Sequence, residues 1–177
     1  MIPNSIPEAV FHCRVRNDAL GGPNPFEWQE VTTADLFAGQ NVVMFALPGA
    51  FTPACSESHL PGYEANYDAF TALGVDRVIC VSVNDAFVMR QWALSQQIEK
   101  VMMLPDGNGD FTRKMDMLVE RTARGMGLRS WRYSIHAVDG AIKKAFVEPD
   151  KTDNPPGVPV QVSDAETMLE YLRGSKD

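Results

Sequence analysis

The residue best placed to do chemistry in this chain is Cys55, which closes the stretch Pro48-Gly49-Ala50-Phe51-Thr52-Pro53-Ala54-Cys55. Ahead of it, Asn41-Val42-Val43-Met44-Phe45-Ala46-Leu47 is a short apolar run of strand formers, the pattern of a central strand covered on both faces. Thr52 then reads as a helix N-cap and Pro53 as the first helical residue, where a missing N–H has no consequence. Cys55 falls in the first turn, beside unpaired backbone N–H groups and the positive end of the helix dipole, which both favour a thiolate. A helix terminus contributes only ~0.3–1 kcal/mol, or ~2 in good geometry. Making an ordinary thiol mostly ionised at neutral pH takes about 3.4 kcal/mol. A reactive Cys55 therefore needs a second positive group. The competing reading is an inert small hydrophobe, with Thr52 serving only as a cap on the Cys55 N–H.

The pattern Pro-x-x-x-Thr-x-x-Cys, filled by Pro48, Thr52 and Cys55, resembles the active-site signature of peroxiredoxins, thiol peroxidases of the thioredoxin superfamily. The surrounding PGAFTPACSESHLPG is similar to the Prx5 (type II) subfamily, as are Val81–Val88 and Gly127–Ser134, so the resemblance spans almost the whole chain. It implies that Cys55 attacks a hydroperoxide, hydrogen peroxide or an alkyl hydroperoxide, and becomes a sulfenic acid. It further implies that Thr52 hydrogen-bonds the bound peroxide, that Pro48 and Gly49 shape the active-site turn, and that Arg132 is the missing positive group, with Arg129 as the nearby alternative. No metal, haem or flavin is implied, and a homodimer is.

In some relatives a cysteine matching Cys80 resolves the sulfenic acid, yet Cys80 sits in an apolar run that reads as core, and a disulfide needs Cα atoms within ~7 Å. Structural and resolving readings of Cys80 both stand. Other relatives carry a cysteine in the loop before the last helix, where this chain has Asp153-Asn154-Pro155-Pro156-Gly157. The expected reductant is accordingly an external thiol, glutathione with glutaredoxin or a thioredoxin. Cys13 reads as structural. His59, one turn past Cys55, reads as a helix-surface residue or as a tuner of the thiol.

The elements that must position these residues are legible in outline. Val10–Arg16 reads as a strand and Thr33–Phe37 as a short helix. The helix from Thr52 places Leu60, Tyr63, Tyr67 and Phe70 on one face, with a kink at Pro61, which crowds the Glu57 carbonyl. Arg77–Val83 reads as a buried strand, Asn84 as an N-cap and Phe87–Gln97 as a helix burying Trp92, which makes a βαβ unit with parallel strands. Lys100–Leu104 is a third strand and Phe111–Val119 a helix. Arg132–Val138 and Ala141–Val147 flank Asp139-Gly140, a strong hairpin signal. Ser163 and Glu166 fit a capping box for a last helix with Ala165, Met168, Leu169 and Leu172 on its apolar face. This order predicts an α/β thioredoxin-like fold, a central mixed β-sheet flanked by helices with N-terminal additions.

At 177 residues and 45% hydrophobic content the chain reads as one domain, residues 1–177. A net charge of −7, with its 16 Lys and Arg dispersed, argues against nucleic acid. No leader pattern or apolar run approaching ~20 residues is visible, and the odd, scattered Cys13, Cys55 and Cys80 suit a reducing cytoplasm. His12, His59 and His136 lack metal-ligand spacing, and Asp106–Met117 fails as a calcium loop at its sixth and twelfth positions. Gly125-Met126-Gly127 is neither a dinucleotide nor a phosphate-loop motif. Two alternatives to the peroxidase are a general thiol–disulfide oxidoreductase, weakened by the lack of Cys-x-x-Cys, and a redox-sensing binding protein that oxidises without turnover.

Overall fold

The computed structural model describes residues 1–175. Its centre is a five-stranded sheet of order β5-β4-β3-β8-β9, built from β3 (Asn41–Ala46), β4 (Arg77–Ser82), β5 (Met102–Pro105), β8 (Tyr133–Val138) and β9 (Ala141–Val147). β3, β4 and β5 run parallel, whereas β8 is antiparallel to both β3 and β9. The sheet is thus the mixed, thioredoxin-like one expected from the sequence.

The alternating side chains of β3 explain why its run is apolar throughout. Val42, Met44 and Ala46 enter one core layer with Ile79, Val81 and Leu104, while Val43, Phe45 and Leu47 enter the opposite layer with Val78, Cys80 and Cys55. The first layer is closed by the hairpin of β1 (Val10–Arg16) and β2 (Phe26–Thr32), by α1 (Thr33–Phe37) and by α5 (Asp110–Lys114). The second is closed by α2 (Leu60–Ala65), α3 (Tyr67–Ala72), α4 (Ala86–Ser95) and α6 (Ala165–Gly174), through Leu60, Tyr63, Phe70, Trp92, Met168 and Leu169.

Several local expectations shift. β2, exposed from Glu27 through Glu30 and so without an apolar alternation, follows a turn-rich passage that concealed it. The helix expected over Phe111–Val119 stops at Lys114, because Asp116 takes a positive φ of 57° and Leu118 and Val119 leave to pair with Ser130 and Arg129. The resulting small sheet joins β6 (Leu118–Glu120) to β7 (Leu128–Ser130). Asp85 rather than Asn84 caps α4, and Asp164 rather than Ser163 caps α6. Both displaced residues turn out to serve the site. Among the described residues no helix is long and apolar enough to cross a membrane.

The Asp139-Gly140 turn has φ values of 48° and 74°, the paired positive φ of a two-residue hairpin. Asp139 also accepts from the Gly39 N–H at 2.6 Å, tying the turn to the start of β3. An added Cβ at Gly140 would meet nothing within 4 Å, so only backbone strain opposes a substitution there. Gly140→Ala is expected to lower stability by about 1–2 kcal/mol, read as a fall in the urea midpoint at constant slope; an unchanged midpoint would contradict this account of the turn.

Candidate active site

Cys55 lies at the head of a wide, π-helical turn, Cys55–His59, in which the Leu60 N–H reaches back to the Cys55 carbonyl. The kink expected at Pro61 takes this form, since Pro61 has no N–H to continue an α-helical ladder and its ring crowds the carbonyl one turn earlier. Ser56 anchors the turn by accepting from Trp92 Nε1 at 3.0 Å. Cys55 and His59 both face inward and are 0% and 1% exposed. His59 is therefore not the helix-surface residue the sequence suggested.

Arg132, immediately ahead of β8 and 2% exposed, meets them from the sheet. Its Nη2 donates toward Cys55 Sγ at 3.5 Å, its Nη1 donates to His59 Nδ1 at 2.9 Å, and its Nε donates to the Val158 carbonyl at 3.1 Å. An arginine cannot accept, so His59 Nδ1 must, and its proton sits on Nε2, which donates to the Ser163 carbonyl at 2.9 Å. Burial, and then the positive charge of Arg132, push the His59 pKa down to about 3. The imidazole is neutral at physiological pH and acts as an acceptor for the guanidinium.

Ser163 is itself fixed by Glu148, a buried residue that sequence reasoning missed. One Glu148 oxygen accepts from the N–H groups of Gln161, Val162 and Ser163 at 2.8–3.0 Å and from the Ser163 hydroxyl at 2.7 Å. In sequence an acid after a strand looks like a turn residue; its role emerges only where the 161–163 backbone converges on it.

On the other side of the sulfur, Pro48 and Gly49 are buried and Thr52 half-buried. Thr52 does not cap Cys55: its hydroxyl donates to the Gly49 carbonyl at 2.8 Å, which leaves its oxygen lone pairs open to a ligand. Asn84, displaced from its expected cap, accepts from the Ala50 N–H at 3.0 Å and the Ser82 hydroxyl at 2.6 Å, binding the turn to β4. Phe51 holds a φ of 63° while 56% exposed, a strained conformation for an aromatic residue. Arg129 donates from Nε to the Met126 carbonyl, and its Nη1 lies where a Cβ on Gly49 would come within 2.8 Å. Only glycine admits that approach.

Cys80, opposite Phe45 in the sheet, shares the apolar layer of Cys55 and is fully buried. Burial, reinforced by nearby Cys55, pushes its thiol well above the ordinary range. The structure therefore brings Cys55 and Arg132 into contact, seats Thr52, Gly49 and Arg129 around the same turn, and leaves Cys80 as a protonated thiol in the core. A cation directed at a buried sulfur, beside a hydroxyl with free lone pairs, is an arrangement that can hold a thiolate and an oxygen-bearing electrophile together.

The redoxin family model matches residues 25–169. Peroxiredoxin sll1621 of Synechocystis sp. is 55% identical over 176 residues, covering 99% of this chain and 93% of that protein. The chain is a peroxiredoxin of the redoxin family. The hybrid peroxiredoxin hyPrx5 of Haemophilus influenzae is 50% identical over 146 residues, 82% of this chain and 59% of that protein, in keeping with the type II features read from the sequence. The structure of reduced Prx3 from Vibrio vulnificus, in complex with hydrogen peroxide, superposes on this peroxiredoxin with a TM-score of 0.83 at 38% identity, covering 99% of this chain and 98% of that one. As a peroxiredoxin it is a thiol-dependent peroxidase, using a peroxide substrate and a thiol reductant.

Because His59 is neutral when folded and titrates near ~6.5 when unfolded, the unfolded chain binds the extra proton at intermediate pH. Stability from this residue is complete above about 6.5 and declines as pH falls toward about 3. Its share of the slope approaches about 1.4 kcal/mol per pH unit. His59→Gln is expected to be less stable at pH 7 but to lose stability more slowly on acidification. Parallel pH profiles for the two proteins would refute the neutral, buried imidazole.

Proposed function

We propose that Cys55 is the peroxidatic nucleophile of this enzyme, with Arg132 and Thr52 acting directly on the peroxide and an external thiol closing the cycle. The observation that carries this reading is the donation of Arg132 Nη2 toward Cys55 Sγ. The guanidinium stabilises the thiolate and then the charge that develops on the peroxide oxygens. The Thr52 hydroxyl, donating to Gly49, accepts from the peroxide O–H and aligns the O–O bond with the sulfur. Pro48 and Gly49 support the turn, and Arg129 lies across it.

The thiolate attacks the terminal oxygen of ROOH, the O–O bond breaks, and the alkoxide leaves as ROH after taking a proton, so that Cys55 becomes a sulfenic acid. One external thiol displaces water from the sulfenic acid to form a mixed disulfide, and a second releases Cys55 as the external disulfide forms. The sum is one peroxide and two thiols giving alcohol, water and one disulfide. Both hydrogen peroxide and alkyl hydroperoxides satisfy this chemistry.

Glutathione with glutaredoxin, or a thioredoxin, is the reductant class we favour. A protonated Cys80 within the core is a poor partner for the sulfenic acid, and no cysteine occupies the 153–157 loop. We also propose that the chain works as one domain, in the cytoplasm, as a homodimer; the resemblance to the type II subfamily supports the pairing.

Multiple turnovers with glutathione plus glutaredoxin or with a thioredoxin system are expected for the wild type and for Cys80→Ser, and none for Cys55→Ser. Arg132→Ala is expected to slow peroxide reduction by roughly 10²–10³-fold. A Cys55–Cys80 disulfide in the oxidised protein, on mass spectrometry, would overturn the external-thiol cycle. A single oxidation of Cys55 that neither system reverses would replace catalysis by sensing.

A further inference from the structure

The segment from Arg121 to Arg132 carries Arg121, Arg124, Arg129 and Arg132, within a chain of net charge −7. Among the described residues none of these four is in an ion pair. Arg132 spends its donors on His59, Val158 and Cys55, Arg124 donates to the Pro156 carbonyl, and Arg129 donates through Nε to Met126. Arg121 is the exception. It is only 6% exposed, its Nε is buried without a partner, and no hydrogen bond among the described residues engages its guanidinium.

A charged group removed from water without an acceptor is costly, so a built-in anion or a bound one is called for. The backbone register places Arg121 on the same face as Arg129. The Arg121 N–H donates to the Gly127 carbonyl at 2.7 Å, prolonging the β6–β7 ladder in which Val119 faces Arg129. By the two-residue period, 119, 121, 127 and 129 share one face of this hairpin. Arg129 on that face lies against Gly49 of the active-site turn. Burial, and then the charge of Arg124, hold the Arg121 guanidinium below the ordinary arginine range, with Arg132 and Arg129 adding to this, and Cys55 is the group pulling it back.

We propose that Arg121 and Arg129 form an anion site beside Cys55 that takes the carboxylate of a small anionic thiol and delivers its sulfur to the oxidised cysteine. This rests on the external-thiol peroxidase reading above and specifies the reductant at that same site. A small thiol is favoured over an acidic protein surface because Cys55 is 0% exposed and Arg121 nearly so, which leaves little for a protein surface to touch. The displacement is the one already balanced: the thiol sulfur bonds to Cys55 Sγ and the sulfenic oxygen leaves as water.

The test compares carboxylate-bearing and neutral monothiols. Cys55 is first oxidised with one equivalent of peroxide; trapping one portion with dimedone, which consumes the sulfenic acid, checks the peroxidase reading by itself, and the untrapped remainder is used for the thiol reactions. Rate constants for reaction of that sulfenic acid with glutathione, 3-mercaptopropionate and neutral 2-mercaptoethanol are then measured in wild type, Arg121→Gln and Arg121→Lys. The wild type is expected to prefer the anionic thiols, and Arg121→Gln to reduce that preference about tenfold, the loss of one charge-assisted contact. Arg121→Lys should recover part of it, and added salt should erode it in the wild type. Should Arg121→Gln melt early, Arg129→Gln carries the same expectation. Equal thiol preferences in the wild type, or a preference untouched by either substitution, would overturn the anion site. So would a defect confined to assays with glutaredoxin, which would assign the arginines to a protein partner.

Discussion

One buried cation, the guanidinium of Arg132, organises the active site of this molecule. Placing such a charge 2% exposed costs several kcal/mol unless its donors are satisfied. The fold gives them neutral acceptors, an imidazole nitrogen for Nη1 and a backbone carbonyl for Nε, and directs Nη2 toward sulfur. A carboxylate partner would have neutralised the guanidinium and left nothing for the cysteine. Because the acceptors are neutral, the positive charge of the guanidinium is left uncancelled beside the Cys55 sulfur. The helix dipole alone is too weak for this work, which is why the site draws on a residue more than seventy positions away.

His59 makes that arrangement stable because burial keeps it uncharged. A protonated imidazole 2.9 Å from the guanidinium would oppose it; the neutral Nε2–H tautomer instead joins Arg132 to the Ser163 carbonyl. Glu148 gathers the amides of 161–163 and so sets the position of that carbonyl. The Tyr63 hydroxyl donates to the same carbonyl at 2.8 Å, while its ring stacks on Phe45 of β3 at 3.9 Å. The chain from Glu148 through Ser163 and His59 to Arg132 links the loop before α6 to the Cys55 sulfur. Its strength depends on the apolar packing that keeps water out of each hydrogen bond.

Local patterns carried most of the fold. The Asp-Gly turn, the apolar β3 and β4 runs and the amphipathic last helix were each visible in a few adjacent residues. The ends of elements were harder, because capping side chains compete with tertiary demands: Asn84 and Ser163 have the chemistry of caps, but the active-site turn and Glu148 claim them, and their acidic neighbours cap instead. β6 and β7 were hidden because Leu118 and Val119 continue a helical pattern until the positive φ of Asp116 breaks it. In the site, Cys55, Thr52 and Arg132 are named by a resemblance, and the resemblance says nothing of Glu148 or Arg121. Those two act through contacts formed only after distant segments meet, and no local spacing announces them.

The two cysteines of the second core layer show how the same fold gives two buried sulfurs different surroundings. Cys55 and Cys80 are equally buried and share the same apolar neighbours. They differ in what faces them. Cys55 begins a wide helical turn and receives the Arg132 donor, whereas Cys80 is locked in a strand between β3 and β5, where desolvation dominates and its proton is retained. Burial around Cys80 penalises the charge that reactivity would require, whereas around Cys55 it keeps water from screening the contact between the Arg132 donor and the sulfur. Both sulfurs lie within the core, and the turn of Gly49 to Thr52 that precedes Cys55 is the one Arg129 approaches.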